Sequence, residues 1–262
     1  MLRHLLIFQI CAFWPVWSWY GRRVMDPCDS VWCVVPLIAA LFWLGSQKPK
    51  QVENKSLFWP TILTSLYAFA VPFTPPLIRA SLAVVALSVS LSLMVYGQTF
   101  HCSLTGLLLL ALPVIPTAQF YFGYPLRATV ASMAVPILNG AGFNVARQGT
   151  CLAWGKRLVS VDAPCSGVSM LWAGAFLAFT LALFNDLDFK GTVKLGAFAF
   201  VTILAGNVLR TSSLFIVENG GLAGTPWVHE GIGLVIFALA AAFVALMTRY
   251  LVGEKWLTSF SC

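Results

Sequence analysis

The chain has 262 residues, of which 59% are hydrophobic and only 10% are charged. Soluble domains are roughly 45–50% apolar and about 25% charged, so this composition predicts a polytopic membrane protein and excludes a soluble globular domain as the main part of the chain. The net charge of +7 does not indicate a nucleic-acid partner. Basic residues in membrane proteins mostly mark loops that face anionic lipid, and no basic run here is interleaved with aromatic residues.

Apolar runs follow one another along the whole chain, and a spanning helix needs roughly 20 residues. The runs cover residues 4–20, 31–45, 57–76, 77–96, 104–122, 126–145, 165–185, 193–216 and 229–252. The fold class is therefore all-α and polytopic, with about eight transmembrane helices. We expect the first run to be retained, because it lacks the small-residue cleavage site of a signal peptide.

The run 126–145 leaves two counts open. It is interrupted by Pro136, Asn139, Gly140 and Gly142, which favours a segment lying along the outer surface, eight spans and an N-terminus inside. If it spans, there are nine helices and the N-terminus is outside. The polar segment 147–164 alternates around Gly155 and predicts a short extracytoplasmic hairpin before the next helix.

Basic residues orient the last three spans. They are Lys190, Lys194, Arg249 and Lys255. The positive-inside rule puts both of these clusters in the cytoplasm. Cys165, Arg210 and His229 then lie at the outer ends of three helices, on one membrane face and at one depth.

Cys165 is the candidate nucleophile. At a helix start, unpaired N–H groups and the positive dipole end favour the thiolate. The backbone N–H groups of Ser166 and Gly167 can face a developing oxyanion, and His229 can take the thiol proton and later serve the leaving amine. The simpler interpretations are a packed cysteine and an interfacial histidine anchor.

Arg210 is a charge inside an otherwise apolar helix, where it is costly unless it has a partner or a function. It can stabilise an oxyanion or hold a substrate carbonyl, and Asn207 lies one turn earlier on the same face. The alternative is snorkelling to the headgroups. Arg127 has the same two interpretations, substrate contact or headgroup contact.

The remaining polar residues do not predict a metal site or a cofactor. The cysteines have no zinc-like spacing. Asp186 and Asp188 imitate a metal motif, but a solvated cytoplasmic turn accounts for them. Cys151 is expected on the outer side, as a bystander or as a redox brake on Cys165.

The run APCSGVSM around Cys165, the N-x-x-R pattern of Asn207 and Arg210, and a histidine opening the last helix resemble the exosortase/archaeosortase family. The likeness covers residues 120–262, and the first hundred residues match only in hydropathy. It implies a single integral membrane domain, 1–262, with variable N-terminal helices at 1–122 and a catalytic core at 123–262.

The resemblance further implies a cysteine transpeptidase with a Cys165–Arg210–His229 triad and no cofactor. Its partners would be membrane lipids and exported proteins whose C-terminal sorting tail has a recognition motif, a transmembrane helix and a basic cluster. The enzyme would lie in the cell (inner or plasma) membrane, with its active site on the extracytoplasmic side, and transfer the cleaved protein from a thioester to an envelope acceptor.

Three other functions make different demands on the sequence. A membrane cysteine protease would use water as the acceptor. A transporter or channel would line its pathway with Arg210 and His229, but would give no role to the CSG sequence. A lipid-linked glycosyl carrier enzyme lacks a credible metal motif and an outer acidic cluster.

Overall fold

The structure of the chain is a computed structural model, which describes residues 2–26, 31–50, 57–155, 157–160, 167–219 and 226–259. These residues form ten α-helices and three short β-strands. The helices are α1 (Leu2–Ala12), α2 (Trp14–Val24), α3 (Val34–Gly45), α4 (Phe58–Ala70), α5 (Pro76–Tyr96), α6 (Cys102–Leu110), α7 (Ile115–Gly140), α8 (Val168–Phe184), α9 (Phe189–Asn219) and α10 (Pro226–Ser259). The strands are β1 (Val145–Gln148), β2 (Cys151–Trp154) and β3 (Arg157–Ser160).

Three described helices are long and apolar enough to cross a membrane, namely α5 and most of α9 and α10. A fourth is counted if α6 and α7 form one broken span, and α1, α8 and the segment Val31–Gly45 are shorter apolar helices. The fold class is therefore all-α with several membrane-spanning helices. The count of eight spans stays a prediction.

The first apolar run differs from the expected single helix. It is divided into α1 and α2 at Phe13, which is fully buried. Pro15 stands in the first turn of α2. Because proline has no N–H and its ring crowds the preceding turn, it is accepted at a helix start and breaks a helix that would run through it.

The boundary between the fifth and sixth runs also differs from the expected one. The chain breaks after Leu110, around Pro113, and α7 then continues through Pro125 and Pro136 to Gly140. The Asn139 side chain accepts a hydrogen bond from the Val145 N–H at 2.8 Å. The Asn and Gly residues of this run therefore end α7 and turn the chain into β1.

The hairpin predicted around Gly155 is present as β2 and β3, and β1 extends it to an antiparallel sheet of order β1-β2-β3. Gly149 and Gly155, at the two turns, have φ of +65° and +58°, a conformation that glycine adopts without a steric penalty. β1 is not predicted from the sequence, because its first residue, Val145, is also the last residue of the apolar run 126–145.

The chain divides into two compact units. The first comprises residues 1–114 and 179–193, and the second comprises residues 115–178 and 194–262. In the first unit, Gln9 is fully buried on α1 and donates a hydrogen bond to Thr64 Oγ1 on α4 at 2.9 Å. The predicted organisation as one domain, with a catalytic part at 123–262, stays a prediction.

The core of the second unit joins α7, the sheet and α9. Its buried members are Val130, Ala131, Ala134, Leu138, Val145, Leu152, Val208, Leu214 and Phe215. Phe143, Trp154 and Phe215 meet edge to face at centroid distances of 5.8 to 6.0 Å, an arrangement that aromatic rings favour. This core fixes the sheet against the helix that carries Asn207 and Arg210.

Hydroxyl side chains recur along the apolar helices, and many of them donate to the carbonyl four residues earlier in their own helix. Distances lie between 2.7 and 3.3 Å for Thr64, Ser90, Thr105, Ser132, Ser212 and Thr248. A hydroxyl in an apolar environment is costly unless it is hydrogen-bonded. In these helices the backbone itself supplies the acceptors for the hydroxyl side chains.

Candidate active site

Gly167 is the residue from which α8 starts. Its carbonyl accepts the hydrogen bond of the Leu171 N–H at 2.8 Å, and its φ is +82°. The first helical residue is Val168, so the helix begins three positions after Cys165 and not at the cysteine. Cys165 and Ser166 themselves lie outside the described residues.

Gly167 lies against Asn207 of α9. A β-carbon at Gly167 would stand 2.6 Å from Asn207 Nδ2, closer than real β-carbons approach another atom. Asn207 is 1% exposed. Both the backbone conformation and the approach of the amide therefore require glycine here. Two residues singled out as substrate-binding or oxyanion-stabilising candidates are thus neighbours.

Arg210, one turn after Asn207, meets His229 of α10. Its Nη2 is 3.3 Å from His229 Nε2. A guanidinium has only donors, so a hydrogen bond at this contact requires that Nε2 accept, which is possible for the neutral tautomer with its proton on Nδ1. Both residues are half-buried. The sequence predicted that these two side chains come together, whereas their catalytic roles stay predictions.

The guanidinium lies beside Gly233, one turn after His229 on α10. A β-carbon at Gly233 would be 3.0 Å from Arg210 Nε. Nε itself is buried and has no hydrogen-bond partner within the described part of the chain. Sequence reasoning did not identify Gly233, although the G-I-G at 231–233 in an apolar helix was a signal that the helix surface is open there.

Contacts run from the start of α8 across α9 to α10. Gly167 touches Asn207, Asn207 precedes Arg210 by one turn, and Arg210 bonds His229. We call Gly167, Asn207, Arg210, His229 and Gly233 the polar row. The polar row can offer hydrogen-bond donors from Asn207 and Arg210, and the imidazole of His229, to a substrate group.

Arg127 and Cys151 are not joined to the polar row by a hydrogen bond among the described residues. Arg127 Nε donates to the carbonyl of Gly123 in its own helix at 3.2 Å. Cys151 is a half-buried free thiol at the start of β2, opposite Gln148 and Ser160. Their proposed parts in substrate binding and redox control stay predictions.

The aspartates after α8 serve the turn into α9. Asp188 Oδ1 accepts the Gly191 N–H at 2.8 Å, which caps the first turn of α9. Asp186 is 69% exposed at its side chain and lies 3.8 Å from His101 Nε2. Both aspartates thus contact neighbouring groups of the turn and of α6's N-cap.

Comparison with known families decides the class of protein. The family model described as transmembrane exosortase matches residues 11–246, nearly the whole chain. The chain belongs to the transmembrane exosortase family. No curated protein and no solved structure gave a match.

Membership confirms the resemblance seen in the motifs and extends it. The match begins at residue 11, within α1, so the exosortase pattern includes the N-terminal helices that the motifs alone did not cover. Together with the long apolar helices, it makes this exosortase a multi-pass membrane protein of a transpeptidase or protease class.

Proposed function

We propose that this exosortase is a cysteine transpeptidase that cleaves the C-terminal sorting tails of exported proteins and transfers them to an envelope acceptor. The observation that carries the proposal is the contact of 3.3 Å between Arg210 and His229. It joins two helices next to a helix start whose preceding residues are Cys165 and Ser166. A guanidinium and an imidazole beside a thiol are the groups that acyl transfer needs.

In the proposed reaction, His229 takes the proton of the Cys165 thiol, and the thiolate attacks the scissile carbonyl carbon. A C–S bond forms while the carbonyl π bond opens to an oxyanion. The oxyanion accepts hydrogen bonds from Arg210 and from backbone N–H groups at Ser166 and Gly167. The C–N bond then breaks, and the leaving amine takes a proton from His229. The acceptor nucleophile gives a proton to His229, attacks the thioester, and releases the thiolate.

The donors of Arg210 support this division of roles. Nη2 is engaged with His229, while the buried Nε has no partner among the described residues. An unpaired buried donor raises the free energy of the resting protein. A hydrogen bond from this donor to the oxyanion would remove that penalty. His229 can act as a base once Nε2 is released from Arg210 or once its proton moves from Nδ1.

The membrane arrangement is part of the proposal. An active site on the extracytoplasmic side of the cell membrane follows from the basic residues after α8 and near the end of α10. Eight spans and an N-terminus inside follow if the segment 126–145 lies along the outer surface. A substrate tail with one transmembrane helix would pack laterally against the enzyme and bring its motif to Cys165. Burial at the interface would limit hydrolysis of the thioester.

Two alternatives make different predictions. A purely hydrolytic protease would release a cleaved C-terminus without an adduct, which product mass would reveal. A transporter or channel would use Arg210 and His229 as pathway residues, and its function would survive the removal of Cys165.

The test is co-expression of candidate tail-bearing proteins with the wild type or with Cys165→Ala. We expect the variant to lose cleavage by roughly a thousandfold or more, because the nucleophile is absent, so that full-length substrate accumulates. Arg210→Lys should lose about a hundredfold, since an ammonium cannot reproduce the guanidinium's fork.

Cys11→Ala is the matched control, because it removes another free thiol of the same chain, exposed on α1. It should cleave like the wild type. Cleavage by Cys165→Ala at the wild-type rate would overturn the proposal.

A further inference from the structure

A cavity of about 380 Å³ lies in the first compact unit, between α2, α4 and the start of α5. Its volume is within the range of ligand pockets, roughly 300–1,000 Å³. The side chains that give it chemical character are Trp14, Trp19, Arg22, Tyr67 and Arg79. None of them belongs to the polar row.

Two guanidinium groups give the cavity its charge. Arg79 Nε donates to the Thr74 carbonyl at 2.8 Å, which orients the group while its two Nη atoms make no hydrogen bond within the described residues. Arg22 stands on α2, one turn after Ser18, which also lines the cavity. The described lining contains no carboxylate, so the cavity presents cationic donors without an internal counterion.

Tyr67 adds a neutral donor from the floor of the cavity. The residue is 3% exposed, and its ring packs edge on against Phe13 at a centroid distance of 4.6 Å. Its buried hydroxyl has no hydrogen-bond partner among the described residues. An unpaired buried hydroxyl is costly, and an acceptor oxygen from a bound group would remove that cost.

The start of α5 contributes to the same electrostatic field. Pro75 caps this helix of 21 residues, and Pro76, in its first turn, lines the cavity. The N-terminus of a helix is its positive dipole end, which favours an anion nearby, although Pro76 itself has no N–H to donate.

The rim of the cavity is aromatic. Trp14 is 69% exposed, and Trp19 lies five residues further along α2. Tryptophan is enriched at the level of lipid headgroups, where one part of the ring is in apolar and another in polar surroundings. Arg22 is also exposed, and Arg79 and Trp19 are half-buried, so a ligand that binds here meets guanidinium donors and tryptophan rings together.

We propose that this cavity binds the phosphate-bearing headgroup of an anionic membrane lipid. Phosphate oxygens match the guanidinium forks of Arg22 and Arg79, and one of them can accept the Tyr67 hydroxyl. The lipid's chains extend past the tryptophans into the bilayer. The two cations also exclude a basic substrate segment from this place.

The experiment uses the full-length protein in a neutral detergent, with native mass spectrometry after addition of dioleoylphosphatidylglycerol or dioleoylphosphatidylcholine. We expect one phosphatidylglycerol to be retained about tenfold more tightly than phosphatidylcholine, whose choline cation faces two guanidiniums. Arg22→Gln with Arg79→Gln should weaken retention by about tenfold or more, and Tyr67→Phe by severalfold.

Arg23→Gln is the matched control, because this exposed arginine adjoins Arg22 and lies outside the cavity lining. It should bind phosphatidylglycerol like the wild type. Arg79→Lys, which keeps the charge, should show intermediate retention and guards against misfolding of the glutamine variants. Cleavage of sorting tails is not used as a readout, so failure of the proposed enzymatic function would leave this result unaffected.

Three outcomes would overturn the proposal. Equal retention of the two lipids would show that charge is not recognised. An equal loss for Arg23→Gln would indicate nonspecific attraction to basic residues. Displacement of the lipid by inorganic phosphate at millimolar concentration would assign the cavity to a soluble phosphate.

Discussion

Arg210 is placed where a side chain on Gly233 would otherwise stand. The guanidinium crosses the turn of α10 between His229 and Gly233, and its Nε is 3.0 Å from the position that a β-carbon would take. A charge in an apolar helix needs such a defined environment. Gly233 therefore belongs to the candidate site together with His229, because it leaves room for the guanidinium.

Gly233→Ala tests this placement. The added methyl group would crowd Arg210 Nε at 3.0 Å and should shift the guanidinium by a few tenths of an ångström relative to His229. Because a displacement of about 1 Å in a catalytic group can cost about a hundredfold in rate, this smaller shift should cost less. We expect tail cleavage to fall by about three- to tenfold, measured as the initial rate against a fixed substrate.

Gly231→Ala is the matched control, two residues earlier on the same helix, because a β-carbon there meets no atom within 4 Å. It should keep cleavage within about twofold of the wild type. Equal rates for the two variants would mean that Gly233 does not position Arg210.

For individual residues, the sequence predicted that Arg210 and His229 come together, but not that Gly233 makes room for the guanidinium. Arg210 and His229 were chosen because helix direction and charge cost put them on one face at one depth, and they are in contact. Gly233 could not be chosen in that way, since a glycine's role depends on which atom approaches it. The Cys165 side of the triad lies outside the described residues and stays a prediction.

The packing of helix on helix depends on small residues. Gly174 of α8 faces Ile203 of α9, whose Cγ1 would be 2.5 Å from a β-carbon at Gly174. Helix pairs in membranes approach closely where one side chain is absent, because van der Waals packing is their main source of stability. Gly174 therefore allows α8 to lie close to α9 at Ile203.

Gly174→Ala should lower stability despite alanine's better helix propensity. Propensity favours alanine by about 1 kcal/mol, but overpacking typically costs about 1–3 kcal/mol, and β-branched Ile203 has little freedom to move away. We expect a Tm lower by a few degrees in detergent, measured by thermal unfolding.

Gly196→Ala, on α9, serves as the reference, because no atom lies within 4 Å of its β-carbon position. Only the propensity gain applies there, so its Tm should equal or exceed that of the wild type. A Tm for Gly174→Ala above that reference would show that α8 and α9 do not require the close approach.

Helix boundaries were the least predictable feature of the elements. Hydropathy locates apolar runs but does not say where a helix breaks within one, and proline acts differently by position. Pro15 starts α2, whereas Pro125 and Pro136 lie inside α7. The turn at Gly155 was predictable because polar residues and glycine coincide there, while β1 was hidden at the end of an apolar run.

For the whole molecule, the family match over residues 11–246 agrees with a composition that excluded a soluble protein. Composition and hydropathy were sufficient for the class of protein, because membrane burial demands a continuous apolar content. They were not sufficient for the number of spans, which depends on how short helices such as α1, α3 and α4 sit in the bilayer.

Reporter fusions test the predicted orientation. A fusion after Lys194 should give a cytoplasmic signal from green fluorescent protein, because it retains Lys190 and Lys194. A fusion after Ala223 should give active alkaline phosphatase on the outer side. The opposite pair of signals would put Arg210 and His229 in the cytoplasm and remove the exported substrate from reach.

The hydroxyl-to-carbonyl bonds within the helices bear on how this protein is made. Thr64, Ser132, Ser212 and Thr248 each donate to a carbonyl of their own segment. These hydrogen bonds can therefore already be present when the newly made helix leaves the translocon. It can enter lipid alone, with these hydroxyls already paired. Biogenesis can then proceed one segment at a time, with lateral association of the inserted segments as a later and separate stage.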